Sequence, residues 1–230
     1  MIRTLAVIVC GVLFVGYAGA WADEPKSAVT PKEALQKLKD GHARFLAGKA
    51  TPQVVDAKKR AELAKGQSPF AVVLACADSR VPPELLFDQG LGQLFVVRVA
   101  GNVTGPSILG SIEYAVEHLH TPLIVVLGHE SCGAVKAALS EDDPDGNLGF
   151  LLREVHVGKH LPMDKKEVVP AAIKSNVLFH AAEITKRSSI LKDFVTSGRV
   201  QVEAGVFSLT TGDVEWLTPA KKKATPAEKR

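Results

Sequence analysis

The sequence predicts an α/β fold, with a central, mostly parallel sheet of about four strands plus an antiparallel edge strand. Helices flank this sheet, and an N-terminal helical arm precedes it. The first observation behind this prediction is that residues 70–76, 94–99 and 123–127 form short, apolar, valine-rich runs, as strands buried on both faces do. The second is that helical patterns separate these runs. The third is the composition, 46% hydrophobic and 23% charged, which is globular and excludes disordered and fibrous classes.

The N-terminal arm has a complete helix-start signal. Thr30 is the predicted N-cap, Pro31 takes the first helical position, and Glu33 completes a capping box. Apolar residues then recur at helical spacing as far as Gly48. Further helices are predicted over residues 54–65, 106–118, 132–139, 148–157 and 171–197.

The end of the sheet follows the last helix. Residues 200–209 predict a fourth strand, and the turn at residues 211–213 leads into a short antiparallel edge strand at 214–217. No internal repeat or interdomain linker interrupts the chain. We therefore assign residues 23–218 to a single domain, a size that can bury a substantial core.

The first 22 residues predict a signal peptide. Arg3 supplies the positive charge, residues 5–15 form the apolar run, and Ala20-x-Ala22 fits the small-residue cleavage rule, with cleavage after Ala20 as the alternative. The run is too short and too close to the N-terminus for a lasting membrane helix. We therefore expect a periplasmic or secreted protein with no stable membrane span after cleavage.

The positive charge is concentrated at the other end of the chain. The net charge is +3, and residues 221–230 hold five basic side chains and one acidic one. We expect residues 219–230 to be a disordered basic tail. The remaining chain offers no basic face, so a nucleic-acid partner is not expected.

Two segments that contain potential metal ligands and charged side chains follow predicted strands. Cys76, Asp78 and Arg80 come after the first strand, and His129 and Cys132 come after the third. Ligands of parallel sheets collect beyond the carboxyl ends of the strands, so the two segments should converge. Two thiolates and one imidazole suit Zn²⁺ and leave a fourth tetrahedral position for water.

The neighbouring ion pair fits this chemistry, although other interpretations stay open. Arg80 can clamp Asp78 bidentately, and Asp78 can then accept a hydrogen bond from the nucleophilic water. Alternatively, Asp78 binds the metal as a fourth ligand and closes the site, or it merely caps a following helix. Cys76 and Cys132 can also form a disulfide, the usual state of two cysteines in an oxidising compartment.

The paired motif, Cys-x-Asp-x-Arg with a later His-x-x-Cys, resembles that of the β-class carbonic anhydrases. The resemblance implies one zinc ion per subunit, held by Cys76, His129 and Cys132, with Asp78 and Arg80 as a catalytic dyad. It also implies reversible hydration of carbon dioxide to bicarbonate and a proton. The alternatives are hydrolysis of carbonyl sulfide or carbon disulfide on the same scaffold, and a metal-free exported binding protein with a disulfide.

Further positions resemble the plant-type branch of that family. Gln67, Phe95 and Tyr114 match residues that bind substrate in a narrow cleft at a dimer interface, which implies a homodimer or a larger homo-oligomer. The chain departs from the pattern after Arg98, where the asparagine often found in the family is absent, so the fine shape of the pocket should differ. Its tryptophans, Trp21 and Trp216, do not fit the trio that closes the site in another branch, so an open metal site is expected.

Overall fold

The computed structural model describes residues 29–53, 55–140 and 144–217. The predicted signal peptide, residues 1–22, and the predicted tail, residues 219–230, lie outside the described residues. Within the described ranges, no helix combines the length and apolar character needed to cross a membrane.

The structure confirms the predicted sheet. Five strands lie in the order β2-β1-β3-β4-β5, with the first four parallel and β5 antiparallel to β4. Every residue of β1 and β3 is buried, which accounts for their continuously apolar sequences. The strands are β1 Ala71–Ala75, β2 Leu94–Arg98, β3 Leu123–His129, β4 Gln201–Phe207 and β5 Val214–Leu217.

Helices cover both faces of this sheet. Residues of α1, α3 and α5 pack on one face and residues of α4 and α8 on the other, while α7 contributes to both. In order, they are α1 Pro31–Leu46, α2 Ala57–Leu63, α3 Pro83–Leu86, α4 Pro106–Glu117, α5 Gly133–Ala138, α6 Gly146–Glu154, α7 Lys165–Arg187 and α8 Ser189–Thr196, with a 3₁₀ turn at Ala100–Asn102.

The N-terminal arm forms as predicted and packs on its own chain. Both halves of the capping box between Thr30 and Glu33 are present. Ala34 and Leu38 are fully buried, and Nδ1 of the buried His42 lies 2.9 Å from the carbonyl oxygen of Leu86. The core of the domain therefore begins with α1.

The approach of α7 to β3 depends on a glycine. A Cβ atom at Gly128 would lie 2.4 Å from Cγ2 of Val177, far inside van der Waals contact. Glycine therefore lets α7 lie close against the strand that leads into the candidate site.

The prediction of one long helix over residues 171–197 is wrong. Helix α7 begins earlier, at Lys165, and ends at Arg187. Ser188 has an extended backbone, and its hydroxyl accepts a hydrogen bond from the amide of Leu191 as the N-cap of α8. The Ser188 hydroxyl also donates to Glu113 of α4. A serine can end one helix and begin the next without a glycine or proline.

Two other elements are shorter than predicted, and the helix expected after Asp78 is a single turn. The helix predicted over residues 54–65 corresponds to the shorter α2, whose N-cap is Asp56. The strand predicted over residues 200–209 corresponds to the shorter β4. The four-residue α3 has Pro82 as its N-cap and no side-chain cap. Asp78 therefore does not cap it, which removes that alternative.

Candidate metal centre

The candidate centre lies at the topological switch point of the sheet, where the strand order reverses. Strands β1 and β3 are neighbours, while β2 lies on the other side of β1. Cys76 directly follows β1, and His129 is the last residue of β3. Cys132 is the N-cap residue of α5, and the intervening Ser131 has a φ of 57°. This tight left-handed turn brings Cys132 back towards Cys76.

The structure brings the three predicted ligands together. The sulfur and nitrogen atoms of Cys76, His129 and Cys132 all lie within 4.8 Å of one another. The two Sγ atoms are 4.0 Å apart and both cysteines are free. A disulfide needs about 2.05 Å, whereas two thiolates about 2.3 Å from a tetrahedral zinc are separated by about 3.8 Å. The observed separation fits metal ligands, and the structure does not contain the alternative disulfide.

The imidazole of His129 has one nitrogen ready for a metal. Nδ1 lies 2.9 Å from the carbonyl oxygen of Glu130, and because a carbonyl only accepts, Nδ1 carries the proton. Nε2 is buried without a hydrogen-bond partner in the structure. A buried acceptor without a partner is costly, and a metal ion would satisfy it while the Nδ1 bond fixes the ring.

The two thiols have pKa values shifted in opposite directions. The hydrogen bond with Cys132 is the largest cause that lowers the pKa of Cys76, to about 4, and bonds from the Asp78 and Gly101 amides lower it further. The pKa of Cys132 is raised, chiefly by the bond to Cys76 and by burial. A buried pair that already holds one thiolate favours a cation beside it.

Asp78 and Arg80 form the predicted ion pair at the mouth of the centre. Nε of Arg80 donates to Oδ1 of Asp78 at 2.8 Å and Nη2 donates to Oδ2 at 2.7 Å. These bonds hold the pKa of Asp78 well below its ordinary value and raise that of Arg80. Oδ2 also lies 3.8 Å from Nε2 of His129, so an ionised carboxylate borders the ligand cluster.

Sequence reasoning missed the residue that holds this loop. Nε of Arg98, at the end of β2, donates to the carbonyl oxygen of Cys76 at 2.9 Å, and Nη2 donates to that of Asp78. The amide of Gly101 donates to Sγ of Cys76 at 3.4 Å. Arg98 is the one charged residue in the otherwise apolar run of residues 94–99, which was a usable signal for a specific partner at that strand end.

The Glu130 carboxylate supports the other half of the centre. It accepts hydrogen bonds from the Ser208 hydroxyl and from the amide and hydroxyl of Thr210, each 2.9 Å long. These bonds, the Thr210 amide first among them, lower the pKa of Glu130. The link joins the ligand-bearing turn to the loop between β4 and β5.

The three predicted substrate residues lie together, away from the metal cluster of the same chain. Gln67 and Tyr114 line one open groove of about 460 Å³, and the rings of Phe95 and Tyr114 are 6.3 Å apart. Gln67 precedes β1 whereas Cys76 follows it, and five strand residues span about 16 Å. One chain therefore does not bring Gln67 to its own cluster.

Comparison with known proteins identifies the family. The model of the carbonic anhydrase family matches residues 71–214. The carbonic anhydrase of Mycolicibacterium smegmatis is 42% identical over 193 residues, which are 80% of this chain and 92% of the relative. The crystal structure of the β-carbonic anhydrase CafA of Aspergillus fumigatus aligns with a TM-score of 0.65 at 27% identity, over 83% of this chain and 92% of that one.

A second solved structure supports the same assignment. A tetrameric β-carbonic anhydrase of Sordaria macrospora aligns with a TM-score of 0.62 at 25% identity, over 81% of this chain and 95% of that one. The chain belongs to the carbonic anhydrase family, in its β class. It is an enzyme of carbon dioxide hydration, and the alternative of a non-enzymatic binding protein is set aside.

Proposed function

We propose that this carbonic anhydrase hydrates carbon dioxide reversibly at a zinc ion held by Cys76, His129 and Cys132. The observation that carries the proposal is the buried, unpartnered Nε2 of His129 beside two free sulfurs 4.0 Å apart. Sulfur and imidazole donors in this number favour zinc over the hard cations that prefer oxygen.

The bound ion supplies one element of the chemistry, a nucleophile made from water near neutral pH. The chain supplies its orientation. Asp78 accepts a hydrogen bond from the attacking oxygen, which turns a lone pair towards carbon dioxide. Arg80 keeps the Asp78 carboxylate ionised and in place through its paired hydrogen bonds.

We propose that the site is open. Both oxygens of Asp78 accept hydrogen bonds from Arg80, so these charge-assisted bonds would resist moving the carboxylate into the position of a fourth ligand. The fourth coordination position would then stay available to water and substrate.

We propose that the active unit is a homodimer or a larger homo-oligomer, in which a second copy completes each site. The support is the separation of Gln67 from the metal cluster, together with the exposed position of Tyr114, whose accessible fraction is 44%. The relative from Sordaria macrospora is tetrameric. In this arrangement Gln67, Phe95 and Tyr114 of one copy border the carbon dioxide site of the other.

Metal content and activity, measured on the same samples, test the metal site. Cys76→Ser should contain almost no zinc by elemental analysis and should show near-complete loss of stopped-flow carbon dioxide hydration. The matched control is Ser79→Ala, which changes an exposed residue of the same loop and should keep both. Wild-type protein that hydrates carbon dioxide without stoichiometric metal would overturn the proposal. Activity on carbonyl sulfide or carbon disulfide, without carbon dioxide hydration, would favour the alternative substrates.

We also propose export, on the leader-like features of residues 1–22. Expression of the full chain in a Gram-negative host should give a periplasmic protein whose first residue is Asp23, or Trp21 if cleavage follows Ala20. N-terminal sequencing of that fraction checks this. Full-length protein retained in the cytoplasm would contradict it.

A further inference from the structure

A chain of buried hydrogen bonds runs from α7 to the sulfur of Cys76. The backbone amide of His156 donates to Oδ1 of Asn176 at 2.9 Å, and Nδ2 of Asn176 donates to the carbonyl oxygen of Gly101 at 2.7 Å. The amide of Gly101 then donates to Sγ of Cys76. Asn176 is 1% exposed and Cys76 is 4% exposed, so water has little access to the two bonds that involve Gly101.

The orientation of the Asn176 amide follows from its partners. A backbone amide only donates and a carbonyl only accepts, so Oδ1 must face His156 and Nδ2 must face Gly101. An aspartate would place a carboxylate oxygen against the Gly101 carbonyl. Of the hydrogen-bonding side chains of similar shape, only asparagine satisfies both neighbours at neutral pH.

Gly101 is the element through which Asn176 acts. Its φ is 71°, and a Cβ atom there would lie 3.0 Å from Cγ2 of Val155 and 3.3 Å from Cβ of Ala134. Glycine therefore provides both the left-handed backbone and the space. The bond from Asn176 to its carbonyl helps to hold the residue in this conformation, in which its amide donates to Cys76.

We infer that Asn176 is a positioning residue for the metal-binding thiolate of Cys76, acting through the Gly101 peptide units. This inference rests on the proposed zinc site. The N–H···S bond withdraws electron density from the sulfur and competes with protonation of the thiolate, and Asn176 keeps that bond in place. Partners of this kind typically change metal affinity by about 10–100-fold when they are removed.

The structure also offers a matched control. Thr104 follows the same 3₁₀ turn and is also tied to α7, because its hydroxyl lies 2.9 Å from Nδ1 of His180. Thr104 is fully buried, but none of its hydrogen bonds leads to a metal-ligand atom. Thr104→Val therefore removes a buried bond between the same two parts of the fold without touching the chain to Cys76.

The test compares wild type, Asn176→Ala, Asn176→Ser and Thr104→Val. Both Asn176 variants should release zinc to a chromophoric chelator about 10–100-fold faster than wild type. After replacement of zinc by Co²⁺, their sulfur-to-cobalt charge-transfer band should move to lower energy, because the thiolate is more electron-rich without its donor. Thr104→Val should lower the melting temperature and leave the release rate and the band unchanged.

Two outcomes would overturn the inference. One is a folded Asn176 variant with wild-type zinc release and a wild-type band. The other needs no variant: wild-type protein loaded with ¹¹³Cd should show scalar coupling between cadmium and the Gly101 amide proton through the N–H···S bond, and its absence refutes the link. Failure of wild type to bind any metal would instead overturn the proposed zinc site, so the two failures are distinguishable.

Discussion

Oδ2 of Asp78 lies 3.8 Å from Nε2 of His129, at the border between the ion pair and the ligand cluster. Nε2 is the atom that lacks a hydrogen-bond partner, whereas Oδ2 of Asp78 accepts a hydrogen bond from Nη2 of Arg80. The ionised Asp78 carboxylate thus lies next to the proposed metal ligand His129, although it is not itself one of the three proposed ligands. This placement separates metal binding from orientation of the nucleophile, and the two can be tested separately.

Replacing Asp78 with alanine should reduce the turnover number for carbon dioxide hydration about 10²–10⁴-fold while zinc is retained. The reason is that the three proposed ligands stay intact and only the hydrogen-bond acceptor is lost. Stopped-flow hydration and elemental analysis on the same preparation measure both quantities. Asp193→Ala, which removes an exposed carboxylate on α8, is the control and should behave as wild type. Full activity in the Asp78 variant would remove the orienting role from our mechanism.

Mixed dimers of two impaired variants should recover activity. Gln67→Ala leaves the metal ligands intact, and Cys76→Ser leaves Gln67 intact. If each site combines the ligands of one copy with Gln67 of the other, a mixed dimer contains one complete site and one site damaged twice. Co-refolding of the two variants should therefore give about half of the wild-type activity per mixed dimer.

The control for this experiment is co-refolding of each variant with itself, which should give no recovery. If Gln67 acted within its own chain, the mixed dimer would hold no complete site and its activity would not exceed the average of the parents. A monomeric wild-type protein with full activity, seen by analytical ultracentrifugation, would equally contradict completion by a second copy.

The parts of this site that the sequence predicted are those set by local signals. Cys76 and His129 stand at the ends of apolar runs, and parallel strands bring such ends to one edge. Arg98 and Asn176 were not given roles because their acceptors lie 20 and 75 residues away in the chain, and no periodicity specifies such partners. The helix break at Ser188 was missed for a similar reason: its stabilisation includes a bond to Glu113 on a different helix.

Removing the metal should free the two sulfurs for reaction. Cys76 and Cys132 are both free cysteines, and a bound metal would block their sulfur atoms. Metal-free mature protein prepared with a chelator should therefore react with a small thiol reagent faster than the zinc-loaded protein, and first at Cys76, whose lowered pKa favours the reactive thiolate. Mild oxidation of the metal-free protein should then join the two sulfurs and block reloading. Reagent titration and peptide mapping check this. Thiols that react equally fast with and without zinc would argue against their being ligands.

Stability at acid pH should report on a different ion pair, between Asp88 and Arg44. The Asp88 side chain is only 2% exposed and pairs with Nε of Arg44, and it also accepts hydrogen bonds from the amide and hydroxyl of Thr51 at 2.8 and 3.0 Å. Burial alone would raise the pKa of Asp88, but these hydrogen bonds more than offset burial and lower it. The pair joins α1 to the segment that follows α3.

A depressed pKa in the folded state means that Asp88 stabilises the fold when it is ionised. This contribution is fully present above the unfolded pKa of about 3.9 and is lost as the pH falls through the lower, folded value. Asp88→Asn should therefore reduce the free energy of unfolding by about 1–2 kcal/mol at pH 7, since Arg44 is partly exposed and solvent screens the pair. The difference from wild type should shrink below about pH 4. Urea unfolding at several pH values measures it, with Asp40→Asn on the exposed face of α1 as the control. If the difference in the free energy of unfolding between wild type and the variant stayed constant from pH 7 to pH 2, the charge of Asp88 would not stabilise the arm. Protonation of Asp88 in this range would otherwise reduce the difference.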